Sequence, residues 1–74
     1  MKKYKIKVRD TVWFLFLESN TWVTVKYMRS AGLSRTQIRA KDLGSALQYI
    51  YSTQNGSIEP LRVEDLIEID EIQF

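Results

Sequence analysis

From Lys3 to Arg9 apolar and basic residues alternate: Tyr4, Ile6 and Val8 fall on one side, Lys5, Lys7 and Arg9 on the other. A period of two belongs to a β-strand, whose successive side chains point to opposite faces of the pleat. Thr11 to Leu17 (TVWFLFL) is β-branched and aromatic, a composition suited to a pleated surface. Glu18-Ser19-Asn20-Thr21 has the composition of a turn. Trp22 to Met28 then resumes as a strand, with Val23, Val25 and Tyr27 on one face, so the two runs predict a β-hairpin.

Arg29 to Ser34 (RSAGLS) reads as a polar loop, and Thr36 to Lys41 as a short strand with Ile38 and Ala40 facing inward. The segment from Asp42 to Thr53 admits two readings. Leu43, Ala46, Leu47 and Ile50 fit one face of a helix that Asp42 would cap. Gly44 weakens a first helical turn, however, and Tyr49-Ile50-Tyr51-Ser52-Thr53 favours a strand. Asn55-Gly56 would then close a tight hairpin, because both central residues need positive φ. Strand is the preferred reading here and helix the alternative. After Pro60, Arg62 to Leu66 allows one helical turn, followed by a closing strand that includes Ile67 and Ile69.

Length narrows the picture to one domain spanning residues 1–74. A chain of 74 residues buries only about 60% of its unfolded surface. With no cysteine there is neither a disulfide framework nor a thiolate metal site, so stability must come from a well-packed core or from a partner. The longest apolar run, Val12 to Leu17, falls far short of the roughly 20 residues of a membrane span. Met1-Lys2-Lys3 resembles the basic start of a signal peptide, but no apolar stretch follows, and the expected location is cytoplasmic. Asn55-Gly56-Ser57 matches a glycosylation acceptor but is read only as a turn.

Several segments resemble small SH3-like barrels, the Tudor- and KOW-like modules included. Lys7-Val8-Arg9-Asp10-Thr11-Val12-Trp13-Phe14 resembles the opening strand of that family, with Arg9 where the family usually has glycine. Trp22-Val23-Thr24-Val25 is similar to its second strand, and Tyr49-Ile50-Tyr51 with Asn55-Gly56-Ser57-Ile58 to a later hairpin. Pro60 to Leu66 is similar to the short turn before its last strand. The resemblance implies a mainly β fold, a small barrel of about five strands with room for one short helix. The alternative is an α+β arrangement, an antiparallel sheet with one helix at about 42–53. The resemblance also implies binding rather than catalysis, in the manner of accessory proteins of phage and mobile elements.

Charge adds a second theme. The net charge is only +2, yet up to Lys41 the chain carries ten Lys or Arg against Asp10 and Glu18, and from Asp42 onward seven acids against Arg62. If the first and last strands pair, Lys5, Lys7 and Arg9 would face Glu68 and Asp70 across the ladder and neutralise them. The basic middle, Lys26, Arg29, Arg35, Arg39 and Lys41, would remain to hold phosphates, with Tyr27, Tyr49 or Tyr51 to stack on bases, or would simply be a solvated edge that resists aggregation. The acids Asp65, Glu68, Asp70 and Glu71 have no loop geometry to converge them on a metal ion. With no His and no Cys, and no phosphate loop, nucleophile elbow or zinc motif, an enzyme is not expected.

The most informative feature is the strand Thr11 to Leu17, which is apolar on both sides. Val12, Phe14 and Phe16 supply one face, while Trp13, Leu15 and Leu17 supply the other. Such a strand is either central or exposes an apolar patch to a partner. The functional expectation places that patch at Trp13, Leu15, Leu17 and Trp22, docking a protein or a second copy of the chain. It predicts that Trp13→Ala or Leu15→Ala weakens association while the fold survives. The leading expectation is therefore a non-enzymatic, protein-binding accessory module without cofactor, one that modulates or inhibits a host or defence protein. The alternative is a nucleic-acid-binding regulator that uses segment 26–41.

Overall fold

The computed structural model describes residues 1–19, 21–32, 35–56 and 59–70. Five strands are formed: β1 (Lys2–Val8), β2 (Thr11–Leu17), β3 (Val23–Arg29), β4 (Gln37–Ala40) and β5 (Ile67–Glu68). They make one antiparallel sheet in the order β4-β3-β2-β1-β5. Among the described residues one helix, α1 (Leu43–Thr53), and a 3-10 turn at Val63–Asp65 lie between β4 and β5 in the chain. The fold is thus mainly β with one helix, and among the described residues no helix is long and apolar enough to cross a membrane.

β1 and β2 are joined by a two-residue turn, Arg9-Asp10, between the paired residues Val8 and Thr11. Arg9 has φ 58°, a left-handed conformation that a side chain disfavours and glycine tolerates. The Asp10 carbonyl accepts the Ser30 N–H at 3.0 Å, fastening the turn to the end of β3.

Segment 42–53 takes the helical alternative, which corrects the preferred strand reading. Asp42 Oδ1 accepts the Ser45 backbone N–H at 2.8 Å, satisfying one of the donors that a helix start leaves orphaned. Leu43, Ala46, Leu47 and Ile50 then form the inward stripe, with the last three buried. Burial of that stripe outweighs the β-preference of Tyr49 to Thr53, because local propensity is the weaker term.

Asn55 and Gly56 do adopt positive φ, 59° and 61°, but they end the helix instead of turning a hairpin. Gly56 N–H donates to the Tyr51 carbonyl at 3.1 Å and Asn55 N–H to the Ser52 carbonyl at 2.9 Å, a Schellman closure. Tyr49 to Tyr51, the expected first arm of the later hairpin, are therefore helical, and its residues Ser57 and Ile58 lie outside the described set.

The helix packs on one side of the sheet. Register aligns Tyr4, Leu15, Val25 and Ile38 in one row, Ile6, Trp13 and Tyr27 in the next, and Leu17, Val23 and Ala40 in a third. All of these join Ala46, Leu47 and Ile50 in one hydrophobic core, which Leu61 and Leu66 also contact. Trp13 is its centre: Tyr27 lies 4.8 Å away in a tilted arrangement and Tyr49 meets it edge-on at 6.2 Å.

Candidate binding surface

Among the described residues no helix crosses the opposite side of the sheet. Its rows follow from the same register: Lys3, Phe16, Thr24 and Arg39; then Lys5, Phe14, Lys26 and Gln37; then Lys7, Val12 and Met28. Ile67 of β5, opposite Lys5, extends the middle row and is exposed. No strand position on this face carries an acid. An apolar column along β2 therefore runs between a column of three lysines on β1 and the β3 column Thr24, Lys26 and Met28, with Arg39 one strand further out on β4.

Val12, Phe16 and Met28 are half-buried, whereas Phe14 is only 6% exposed among Lys5, Lys26, Val12 and Phe16, its nearest neighbours on this face. Lysine can do this because its aliphatic stem covers apolar surface while its ammonium stays in water. Lys26 Nζ lies 5.1 Å from the centre of the Phe16 ring, a cation–π contact.

At one end of the face stands Trp22, 44% exposed, with the Arg39 guanidinium 5.9 Å from its ring centre. Arg39 also donates to Glu18 Oε2 at 2.9 Å. Between Phe16 and Arg39 in the register sits Thr24, 2% exposed, whose hydroxyl has no hydrogen-bond partner. An unpaired buried hydroxyl destabilises a fold, and in a native structure it calls for an explanation.

Two depressions border the strands. One, of about 420 Å³, is lined by Lys7, Arg9, Asp10, Val12, Met28, Arg29 and Ser30. The other, of about 310 Å³, is lined by Lys26, Arg35, Thr36 and Gln37. Neither brings carboxylates together, and among the described residues no cluster of acids is arranged to hold a metal ion.

The expected contact residues are redistributed by this geometry. Trp13 and Leu15 are buried, and Leu17 packs against the same core, so the side of β2 expected to meet a partner is the side that α1 covers. Trp22 alone of the four is exposed. The apolar side that remains outside is Val12, Phe14 and Phe16, and sequence periodicity could not distinguish it from its opposite.

The basic middle is scattered too. Lys26 and Arg35 share one depression, and Arg29 borders the other with its guanidinium 5.9 Å from the Tyr27 ring centre. Arg39 lies with Glu18 and Trp22, and Lys41 precedes the cap of α1. Tyr27 and Tyr49 flank Trp13, and the Tyr51 hydroxyl donates to the Gly56 carbonyl at 3.4 Å, so the tyrosines do not form a stacking platform.

β1 and β5 do pair, but Glu68 falls opposite Tyr4 and Ile67 opposite Lys5. The expected carboxylate–lysine ladder is thus out of register by one residue, which sends Glu68 to the other face. Lys3, Lys5 and Lys7 consequently remain together on the open face. Lys3 Nζ instead donates to the Asp70 backbone carbonyl at 3.3 Å.

Comparison with protein-family models, curated proteins and solved structures returns no match. The surface therefore has to be read from its own chemistry.

Proposed function

We propose that this protein is a non-enzymatic binding module whose contact surface is the open face of β1–β3. One observation carries the reading: one side of the sheet is covered by α1, while the other holds Val12, Phe14, Phe16 and Met28 in its middle with no helix above them among the described residues. An apolar strip rimmed by charge, with an exposed tryptophan at its edge, has the composition of a protein interface. The sequence resemblance of the Lys7–Phe14 and Trp22–Val25 segments to SH3-like modules accords with a binding role, although a fold alone does not fix a function. A phage or mobile-element accessory protein that modulates or inhibits a host or defence protein is the setting proposed with it.

The test is site-specific photo-crosslinking in cells. A benzophenone side chain replaces Met28 on the open face or Gln48 on the exposed side of α1. A discrete protein adduct from position 28 and none from position 48 is expected. Adducts from position 48 alone, or from neither, would overturn the proposal.

A further inference from the structure

We infer that the occupant of the open face is an acidic polypeptide segment, with carboxylates next to apolar side chains; this rests on the binding reading above and adds the partner's chemistry. Lys3, Lys5 and Lys7 stand on one side of the β2 column and Lys26 on the other, with Arg39, ion-paired with Glu18, one strand beyond Lys26's strand. Strands lie about 4.8 Å apart, so Lys26 on β3 stands roughly 10 Å across from the β1 lysines and Arg39 on β4 roughly 14 Å, while Lys3, Lys5 and Lys7 follow one another at about 6.7 Å along β1. An extended segment lying over β2 meets apolar surface below it and cations on both flanks.

The Thr24 hydroxyl supplies a second, independent observation. It lies on this face with no partner and is almost wholly enclosed, one position from both Phe16 and Arg39 across the ladders. A carboxylate or carbonyl oxygen that displaced the Phe16 or Arg39 side chain would accept a hydrogen bond from it. The corner that leaves a polar group unsatisfied in the free protein is thus where an acceptor from a partner gains most.

Nucleic acid fits less well. Phe16 and Trp22 each already have a cation against the ring, so a stacking base would have to displace it.

The experiment titrates the full chain with three probes: a short peptide of alternating glutamate and leucine, the same peptide with glutamine for glutamate, and a single-stranded thymidine oligonucleotide. Backbone amide shifts and Trp22 fluorescence report binding. The glutamate peptide should bind, with shifts confined to Lys3–Lys7, Val12–Phe16 and Trp22–Met28. K5E combined with K26E should weaken it by roughly tenfold or more, since like charges oppose the approach. Lys5→Gln with Lys26→Gln should show a smaller loss in the same direction if charge reversal disturbs folding, and Thr24→Val should weaken binding while the fold is retained.

Equal binding of the glutamine peptide would overturn the acidic partner yet leave the open face as an interface. Tighter binding of the oligonucleotide would replace polypeptide with nucleic acid. Failure of the glutamate peptide to shift any open-face amide would also overturn the inference, and the crosslinking result would still decide the binding reading separately.

Discussion

Leu15→Ala separates the two sides of β2 more sharply than any other substitution. Leu15 is 0% exposed and lies in the row of Tyr4, Val25 and Ile38, on the side facing α1. Truncation removes three carbons, about 2.4 kcal/mol of transfer free energy at roughly 0.8 kcal/mol per buried CH₂. The cavity left behind raises the loss into the usual range of about 2–5 kcal/mol, because neighbouring strands and the helix relax only in part. A domain of this length has a total stability of roughly 4–11 kcal/mol, so the variant forfeits a large share of it. At about 4–8 °C per kcal/mol, a loss near 3 kcal/mol lowers Tm by roughly 12–24 °C. Thermal and urea unfolding followed by circular dichroism measure it, with Phe16→Ser on the open face as the contrast. An unchanged Tm for Leu15→Ala, combined with loss of partner binding, would show that Leu15 is contact surface and that the assignment of the two faces is inverted.

Thr24→Val should raise stability by about 1 kcal/mol, since it removes a buried hydroxyl that has no partner and keeps the side-chain shape; chemical denaturation reads the change. Gly56→Ala should destabilise the chain by about 1 kcal/mol, because φ +61° disfavours a side chain and the new methyl would sit 3.1 Å from Tyr51 Oη; a lower denaturation midpoint is expected. The Ser45 backbone N–H, first, and the Ser45 side chain, second, hold the Asp42 carboxyl below its ordinary value of 3.8. Its folded pKa is depressed, so its contribution to α1 is present above the unfolded value and fades as pH falls through the folded one. Helicity followed by circular dichroism should therefore drop in strong acid, and Asp42→Asn, which keeps the cap without the charge, should make that drop smaller.

Much of the fold was legible because period-two alternation is a local property. The strands β1, β2 and β3 and the β2–β3 hairpin follow from it, as does β4 with Ile38 and Ala40 toward the core, and one helical turn before a closing strand at Ile67; the pairing of β1 with β2 came from the structure. The segment 42–53 was less legible because its residues serve either state. Leu43, Ala46, Leu47 and Ile50 suit a helix and Tyr49 to Thr53 suit a strand, and only the sheet that the stripe covers decides between them. Asn55 and Gly56 show the same limit: the need for positive φ was readable, but a hairpin turn and a helix end both require it.

The binding surface was least legible. By itself the sequence determined that β2 is apolar on both sides, that basic residues gather in the first 41 positions and that the chain has neither histidine nor cysteine. The tertiary structure alone decided which side of β2 is covered, since that depends on where α1 crosses the sheet. It also decided the pairing of β1 with β5, where Glu68 meets Tyr4 and not a lysine. Both outcomes turn on long-range packing and register, and a shift of one residue exchanges the faces of a strand without altering its pattern.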